Sequence, residues 1–317
     1  MDNYISIGIV GAGYMAEEHI KVFTSLKNAK ITGIYSKTFE KCLTLSKRYK
    51  IRNICKSLDE LYHVAKPNLL VICVPELECK SICISAFKYD WKILIEKPVG
   101  FNCKEAKFIL DKAKLNNCKA YVGLNRRHYS STTLVKKMIE GYSGKRLINI
   151  IDQEDTKAAL DSGQPEKVVE NWMYANSIHL IDYFNIFCRG KIENVEYLID
   201  WEYEKTNFVL TKLNFSSGDI GIYQCYWNAP GPWSVSISNS KIRFDLKPLE
   251  KGNYQLYGSR DLFELDIDAY DQIYKPGLYF QAQEALKAAN NKPHKLVSID
   301  EGYKTMELVR LIYNLNS

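Results

Sequence analysis

The stretch that decides the fold is "ISIGIVGAGYMA", residues 5–16. Its first six residues are mostly apolar and β-branched, which is typical of a buried parallel strand. Gly11, Gly13 and Ala16 then match the spacing G-x-G-x-x-G/A, and apolar residues follow at helical spacing. In such a unit the first glycine permits a tight turn, the second lets the backbone approach a pyrophosphate, and the small third residue lets the helix pack on the strand. The stretch predicts a dinucleotide-binding turn, and the alternative is a turn that only reverses the chain.

The residues after the second predicted strand, "KITGIY" (30–35), bear on which dinucleotide binds. NAD enzymes place a carboxylate at this point to hold the ribose 2′-hydroxyl. Here Ser36, Lys37 and Thr38 follow the strand, and none of them is acidic. Because hydroxyls and an ammonium suit a 2′-phosphate, we predict NADP as the preferred cofactor, with NAD possible. The alternative is a solvated lysine on a loop.

Strands and helices alternate as far as residue 123, with further strands predicted in 68–75, 91–98 and 119–125. This alternation predicts a doubly wound parallel sheet, the Rossmann fold. Ligands of such sheets bind beyond the carboxyl ends of the strands. The residues predicted to contact the cofactor are Gly11, Gly13, Tyr14, Met15, Ala16, Ser36, Lys37, Thr38, Pro75, Glu96, Lys97 and Asn125.

The second half has a different pattern, with long alternating segments such as "TNFVLTKLNFS" (206–216) and "GDIGIYQCYWNAP" (218–230). Alternation of this kind predicts a large, mainly antiparallel open sheet. The helix-like stretches around it indicate a C-terminal α+β domain. We therefore predict a dinucleotide-binding domain at 1–123 and a substrate-binding and oligomerisation domain at 124–317. Residues 157–167, "KAALDSGQPEK", are predicted to form a mobile loop.

Composition and charge exclude several classes of protein. The net charge of +6 is spread without a basic block, so no nucleic-acid partner is predicted. No run of eighteen apolar residues occurs, so no membrane span is predicted. The N-terminus lacks a basic region followed by a cleavage site, so we expect a cytoplasmic protein.

The sequence lacks several well-known catalytic and metal-binding motifs. The nine cysteines include Cys79 and Cys83 one helical turn apart, but no partner with metal-ligand spacing accompanies them, so no metal is predicted. No G-x-S-x-G, H-E-x-x-H or P-loop motif is present, which argues against hydrolases and nucleoside triphosphatases.

Four motifs occur in a recognisable order: "GAGYMA" (11–16), "EKPVG" (96–100), "NRRH" (125–128) and "SIHLIDYF" (177–184). Together they resemble the glucose–fructose oxidoreductase / inositol dehydrogenase / MocA family over both domains. The resemblance implies hydride transfer between nicotinamide and a hydroxyl-bearing carbon of a sugar, cyclitol or sugar nucleotide. It also implies a homodimer or homotetramer built through the C-terminal sheet.

The resemblance assigns roles to two residues. Lys97 would hold the substrate hydroxyl and take part in proton transfer, which an ammonium beside the cofactor can do. His179 would be a second acid/base or substrate-binding group, and Asp182, on the same helix face, could orient it. The alternative for His179 is a core histidine under the sheet.

One position departs from the family pattern. Where the family usually has an aspartate, four residues before the histidine, this chain has Ala175. Tyr174 and Asn176 are therefore candidate substrate contacts. Arg126, which is followed by a second arginine, is another candidate, because a guanidinium can hold a carboxylate or phosphate; the alternative is an ordinary surface pair.

These observations predict an NADP-preferring oxidoreductase that acts on a sugar-like substrate, with Lys97 and His179 as acid/base groups. Ala175 keeps open a non-catalytic dinucleotide-binding protein of the same fold. An NAD-dependent glycosidase of the same family is the other alternative. Retention of Lys97 favours an enzyme over a silent protein.

Overall fold

The computed structural model of the protein describes residues 4–316. The strands of this part of the chain are β1 Ile5–Val10, β2 Ala29–Tyr35, β3 Asn53–Cys55, β4 Leu69–Ile72, β5 Lys92–Glu96, β6 Lys119–Gly123, β7 Leu147–Glu154, β8 Ile192–Ile199, β9 Phe208–Phe215, β10 Ile220–Trp227, β11 Ser234–Ser238, β12 Ile242–Leu246, β13 Asn253–Leu256, β14 Phe263–Glu264 and β15 Val297–Ser298.

The α-helices are α1 Tyr14–Ser25, α2 Phe39–Tyr49, α3 Leu58–Glu60, α4 Glu76–Ala86, α5 Cys103–Leu115, α6 Ser130–Glu140, α7 Thr156–Asp161, α8 Glu166–Val169, α9 Ile178–Phe187, α10 Tyr270–Ile273, α11 Leu278–Ala289 and α12 Ile299–Ile312. Leu61–Ala65 and Met173–Ser177 are short π-helical turns, and Asn125–His128 is a 3-10 turn. None of the helices in residues 4–316 is long and apolar enough to cross a membrane.

The chain divides into two compact units. The first comprises the residues up to His128 together with Tyr270–Tyr303, and the second comprises Tyr129–Ala269 and the residues from Lys304 onward. The boundary between 123 and 124 stays a prediction from sequence. Each unit is built around its own sheet.

The first unit contains a seven-stranded sheet in the order β15-β6-β5-β4-β1-β2-β3. All its pairs are parallel except β15 with β6. The side chains of Ile7 and Ile9 and of all four β4 residues are buried, because helices cover both faces of the sheet. Strand order reverses between β1 and β4, which is where such sheets bind ligands. The prediction of a Rossmann-type parallel sheet is confirmed.

The second unit contains an eight-stranded sheet in the order β14-β13-β12-β11-β7-β10-β9-β8. β7 pairs in parallel with β10 and the other pairs are antiparallel, which confirms the predicted mainly antiparallel sheet. Buried and partly exposed residues alternate along β9 and β10, so one face forms the core. On β7 that buried face ends in two carboxyl residues, Asp152 and Glu154, where apolar side chains would be ordinary.

Residues 157–167, predicted as a loop, instead include most of α7 and the start of α8. Asp155 explains the difference, because its side chain accepts a hydrogen bond from the Ala158 N–H at 2.8 Å and caps α7. Gly163 has φ +89° and lies between the two helices. The prediction missed α7 because the capping aspartate lies just before the stretch that was assigned to a loop.

A buried ion pair joins the start of β10 to the segment after α9. Asp219 is fully buried and accepts hydrogen bonds from the Arg189 guanidinium at 2.6 and 2.9 Å. The backbone N–H groups of Arg146 and Arg189 also donate to its carboxylate, at 2.8 and 2.9 Å. Burial alone would raise the pKa of Asp219, but these four hydrogen bonds and the arginine charge lower it to about 2.

Asp219→Asn should destabilise the second unit by about 2 kcal/mol at pH 7, which is the free energy of a pKa shift from 3.8 to about 2. Because the folded pKa is the lower one, this contribution is present above pH 4 and is lost as the pH falls towards 2. Urea denaturation of the wild type and the variant between pH 2 and 7 measures it, with the exposed Asp266→Asn as control. A stability difference that did not shrink on acidification would contradict this assignment.

Candidate active site

The two glycines of the turn after β1, Gly11 and Gly13, have different surroundings. Gly11 has φ +108°, and a Cβ built on it would lie 2.0 Å from the carbonyl oxygen of Cys73. Its N–H donates to the Tyr35 carbonyl at 2.8 Å. This position therefore admits glycine alone, because both the backbone conformation and the close approach exclude a side chain.

Gly13 differs from Gly11 in both respects. It has φ −90°, which any residue adopts, and a Cβ built on it meets nothing within 4 Å. It is the N-cap of α1 and, as a glycine, forms no side-chain capping hydrogen bond. A helix N-terminus next to a glycine with open space beside it suits a pyrophosphate, so this end of the sheet fits the dinucleotide that the sequence predicts.

The remaining predicted residues of this turn differ in exposure. Ala16 is fully buried and lets α1 pack on the sheet, whereas Met15 is half-buried. Tyr14 is exposed, with the ammonium of Lys275 lying 5.3 Å from the centre of its ring. Pro75 is the exposed N-cap of α4.

The predicted 2′-phosphate residues lie beyond the end of β2. Lys37 and Thr38 are exposed, and the Thr38 N–H donates to the Ser36 hydroxyl at 3.3 Å. Lys37 forms an ion pair with Glu78 of α4. The sequence has no acid after β2, but the fold brings one there from 41 residues away along the chain.

A buried histidine on α1 forms a hydrogen bond with the last residue of β5. His19 is 1% exposed, and its Nε2 lies 2.7 Å from Oε1 of Glu96. The Glu96 carboxylate lies beside Gly123 of β6, where a Cβ would approach Oε1 to 3.1 Å. Since Glu96 directly precedes Lys97, this hydrogen bond fixes the strand end that carries the lysine. His19 was not predicted as a site residue from sequence, although it lies on the face of α1 that carries Ala16.

Other predicted residues of the first unit lie at the same carboxyl edge. Lys97 is half-buried at the end of β5. Asn125 is buried and its amide donates to the Pro276 carbonyl at 3.0 Å, while Arg126 beside it is also buried. Their roles toward cofactor and substrate stay predictions.

The predicted substrate residues of the second unit lie on the Met173–Ser177 turn and on α9. Tyr174 and Ala175 are buried, whereas Asn176 and His179 are half-buried. Asp182 accepts hydrogen bonds at 3.1 Å from Asn185 and Thr305. Lys97 belongs to one unit and His179 to the other.

The Met173–Ser177 turn is held by a carboxyl group that the sequence analysis did not identify. The Asn176 amide donates to Oε2 of Glu154 at 2.8 Å, and the Ser177 hydroxyl lies 3.0 Å from Oε1 of the same residue. Glu154 is the last residue of β7 and is 1% exposed. It contacts the two residues that directly follow Ala175, the position where the family resemblance implies an aspartate.

A chain of hydroxyl groups continues from Glu154 to Asp152. Its four oxygen–oxygen contacts join Glu154 to Ser177 at 3.0 Å, Ser177 to Tyr313 at 3.1 Å, Tyr313 to Tyr223 at 2.9 Å and Tyr223 to Asp152 at 2.7 Å. Ser177 donates to Glu154 and Tyr223 donates to Asp152, so the Tyr313 hydroxyl donates to one of its two neighbours.

The electrostatics of the cluster favour the protonated form of Glu154. Burial raises the pKa of Glu154 well above its ordinary value, and the charge of Asp152 and a hydrogen bond with it raise the pKa further. Hydrogen bonds from Asn176 and Ser177 oppose the shift without cancelling it. Burial also raises the pKa values of Tyr223, Tyr313 and Cys225, so these neighbours stay neutral.

The described residues include no group of three or more His, Cys, Asp or Glu side chains that could hold a metal ion.

Gly11→Ala and Gly13→Ala should separate folding from cofactor binding. Gly11→Ala should destabilise the protein by more than about 1 kcal/mol, because its Cβ meets the Cys73 carbonyl and its φ is strained. Gly13→Ala should keep wild-type stability and lose NADPH affinity, because its Cβ fills only the open space. Thermal denaturation and fluorescence titration with NADPH measure the two effects. Undiminished NADPH binding by Gly13→Ala would contradict a pyrophosphate site there.

Glu154→Gln should become more stable relative to the wild type as the pH rises above about 4.5. The folded wild type keeps a proton that the unfolded chain releases there, so its stability falls with rising pH, whereas the amide does not titrate. Glutamine preserves the shape and can accept from Asn176 and donate to Ser177. Chemical denaturation from pH 4 to 8 measures the difference, with the exposed Glu193→Gln as control. A stability difference that stayed constant with pH would show that Glu154 is ionised in the fold.

Comparison with known proteins links the first unit to an enzyme family. Residues 5–124 match the model of the GFO/IDH/MocA family, described as an oxidoreductase family with an NAD-binding Rossmann fold. A related protein is the glucose-6-phosphate 3-dehydrogenase of Bacillus subtilis, which is 27% identical over 133 residues. That match covers 42% of this chain and 37% of the length of the relative.

Solved structures share the fold of the whole chain. Levoglucosan dehydrogenase in complex with NADH aligns with a TM-score of 0.82 at 17% identity, over 98% of this chain and 96% of the other. The UDP-N-acetylglucosamine 3-dehydrogenase of Acidithiobacillus ferrooxidans aligns with a TM-score of 0.79 at 14% identity, over 98% and 97%. The match to the glucose–fructose oxidoreductase / inositol dehydrogenase / MocA family of oxidoreductases thus covers residues 5–124, and the solved structures extend the likeness in fold to nearly the whole chain.

Proposed function

We propose that the protein is a nicotinamide-dependent dehydrogenase that prefers NADP(H) and acts on a hydroxyl or keto carbon of a sugar, cyclitol or sugar nucleotide. The observation that carries the proposal is the turn at Gly11–Ala16, which combines a required glycine, an open space above Gly13 and a helix N-terminus. This arrangement suits a pyrophosphate, and residues 5–124 match a family of oxidoreductases with an NAD-binding Rossmann fold.

The residues that would hold the cofactor lie at the carboxyl edge of the first sheet. Gly11, Gly13 and the N-terminus of α1 would bind the pyrophosphate. Ser36 and Thr38 would contact the 2′-phosphate, together with the ammonium of Lys37. When bound, the cofactor supplies the hydride chemistry at its nicotinamide ring.

The chain's own part in the reaction is to bind the substrate and move its proton. In the reducing direction, the ammonium of Lys97 or the imidazolium of His179 would donate a proton to the alkoxide that forms on the substrate. In the oxidising direction, the neutral amine of Lys97 would hold the reacting hydroxyl and accept its proton. The hydrogen bond between His19 and Glu96 supports this role, because it fixes the residue next to Lys97. Tyr174, Asn176 and Arg126 would contact the substrate.

The substrate class and assembly are proposed by analogy. The relatives named above act on glucose 6-phosphate, levoglucosan and a UDP-linked sugar, by their names. We propose a substrate of this sugar-like kind and a homodimer or homotetramer through the eight-stranded C-terminal sheet.

A non-catalytic dinucleotide-binding protein is the second candidate, because Ala175 replaces the usual aspartate. The bonds from Asn176 and Ser177 to Glu154 count against it, since a buried carboxyl group still orders this turn. An NAD-dependent glycosidase of the family is a further alternative, which requires cofactor that stays bound through turnover.

Lys97→Met should lower turnover by about a hundredfold or more, because it removes the general acid/base while keeping most of the apolar side chain. NADPH binding should persist, since the glycine turn is unchanged. Glucose 6-phosphate, levoglucosan and UDP-N-acetylglucosamine are assayed with NADP⁺ and NAD⁺ by absorbance of the reduced nicotinamide. Lys92→Met, at the opposite end of β5, is the matched control.

The outcomes separate the candidates. Equal turnover by Lys97→Met and the wild type would overturn the assigned role of Lys97. A wild type that binds NADPH but oxidises none of a broad sugar panel favours the non-catalytic protein. Sugar-bond hydrolysis without net cofactor reduction favours the glycosidase.

A further inference from the structure

The ion pair between Lys37 and Glu78 connects the segment after β2 to the first turn of α4 in the first unit. Lys37 follows β2 by two residues, and Glu78 stands in the first turn of α4, which follows β4. The two side chains are 64% and 38% exposed, so a ligand can reach them.

The topology places this pair around the end of β1. Both β2 and β4 pair with β1 in parallel, and Val10 at its end is in register with Tyr35 on one side and Ile72 on the other. The segments that carry Lys37 and Glu78 therefore leave the sheet on either side of the Gly11 turn. The ion pair links these two segments where the adenosine end of a dinucleotide is bound in sheets of this kind.

We propose that Glu78 competes with the 2′-phosphate of NADP(H) for Lys37 and thereby sets the ratio of NADP(H) to NAD(H) affinity. This inference rests on the proposed function and deepens it. Ser36, Lys37 and Thr38 by themselves favour a phosphate, but the neighbouring carboxylate partly neutralises the only cation of that group. No acidic residue directly follows β2 in the sequence, but the fold places the Glu78 carboxylate beside Lys37.

The sign of the effect follows from charge. A 2′-phosphate approaching Lys37 must displace the Glu78 carboxylate or share the ammonium with it, and the two anions repel each other. NAD(H), with a neutral 2′-hydroxyl, is not repelled. Because both side chains are exposed, solvent and salt weaken the effect, so a change of about fivefold is expected.

The test is titration of the full-length protein with NADPH and NADH, comparing the wild type with Glu78→Gln. Glu78→Gln should bind NADPH about fivefold more tightly and bind NADH within about twofold of the wild type. The gain should shrink at 0.5 M salt. An NADPH-to-NADH affinity ratio equal to that of the wild type overturns the inference.

Two further variants make the test specific. Glu76→Gln removes the same charge from the same turn of α4, but Glu76 forms no ion pair with Lys37 in the described part of the chain, so its affinity ratio should stay closer to that of the wild type. In a Lys37→Ala background, Glu78→Gln should lose most of its effect. An undiminished effect there overturns competition for Lys37.

The result also distinguishes this inference from the proposed function. A wild type that binds neither NADPH nor NADH contradicts the proposed function itself. Binding of both, with a ratio insensitive to Glu78→Gln, contradicts only the role of Glu78.

Discussion

The close approach of Gly11 to the Cys73 carbonyl is the constraint on which the candidate site depends. The distance of 2.0 Å from a hypothetical Cβ leaves no room for any other residue, and φ +108° makes one strained. This contact lets the chain turn sharply between β1 and α1. The proposed pyrophosphate site and the segments that carry Lys37 and Glu78 lie around this turn, because β2 and β4 both pair with β1.

Buried polar groups then fix the residues on which function is proposed to depend. In the first unit, His19 holds Glu96 next to Lys97. In the second unit, Glu154 holds Asn176 and Ser177. His19 and Glu154 are both buried, where an unmade hydrogen bond costs more than it does in water. Their hydrogen bonds therefore stabilise the chain beside Lys97 and beside Ala175.

Much of the architecture was predictable from sequence, because periodicity and the glycine spacing report directly on strands, helices and the turn between them. The helix at Thr156–Asp161 was missed because the Asp155 cap lies outside the stretch taken as a loop. The residues that follow β2 also predicted Lys37 as a cation without an acidic neighbour in sequence. Glu78 is 41 residues away along the chain and comes close to Lys37 only in the folded protein. The carboxyl network was not predictable in the same sense, because Asp152, Glu154, Tyr223 and Tyr313 are brought together by strand register and by the chain end.

Hydrogen–deuterium exchange of the wild-type protein, with and without NADPH, tests the central claim most directly, because it locates the cofactor without requiring a substrate. The account predicts slower exchange on NADPH binding at residues 11–16 and 36–38, where the pyrophosphate and the 2′-phosphate would be held. Unchanged exchange in both segments at saturating NADPH would contradict a dinucleotide site at the Gly11 turn.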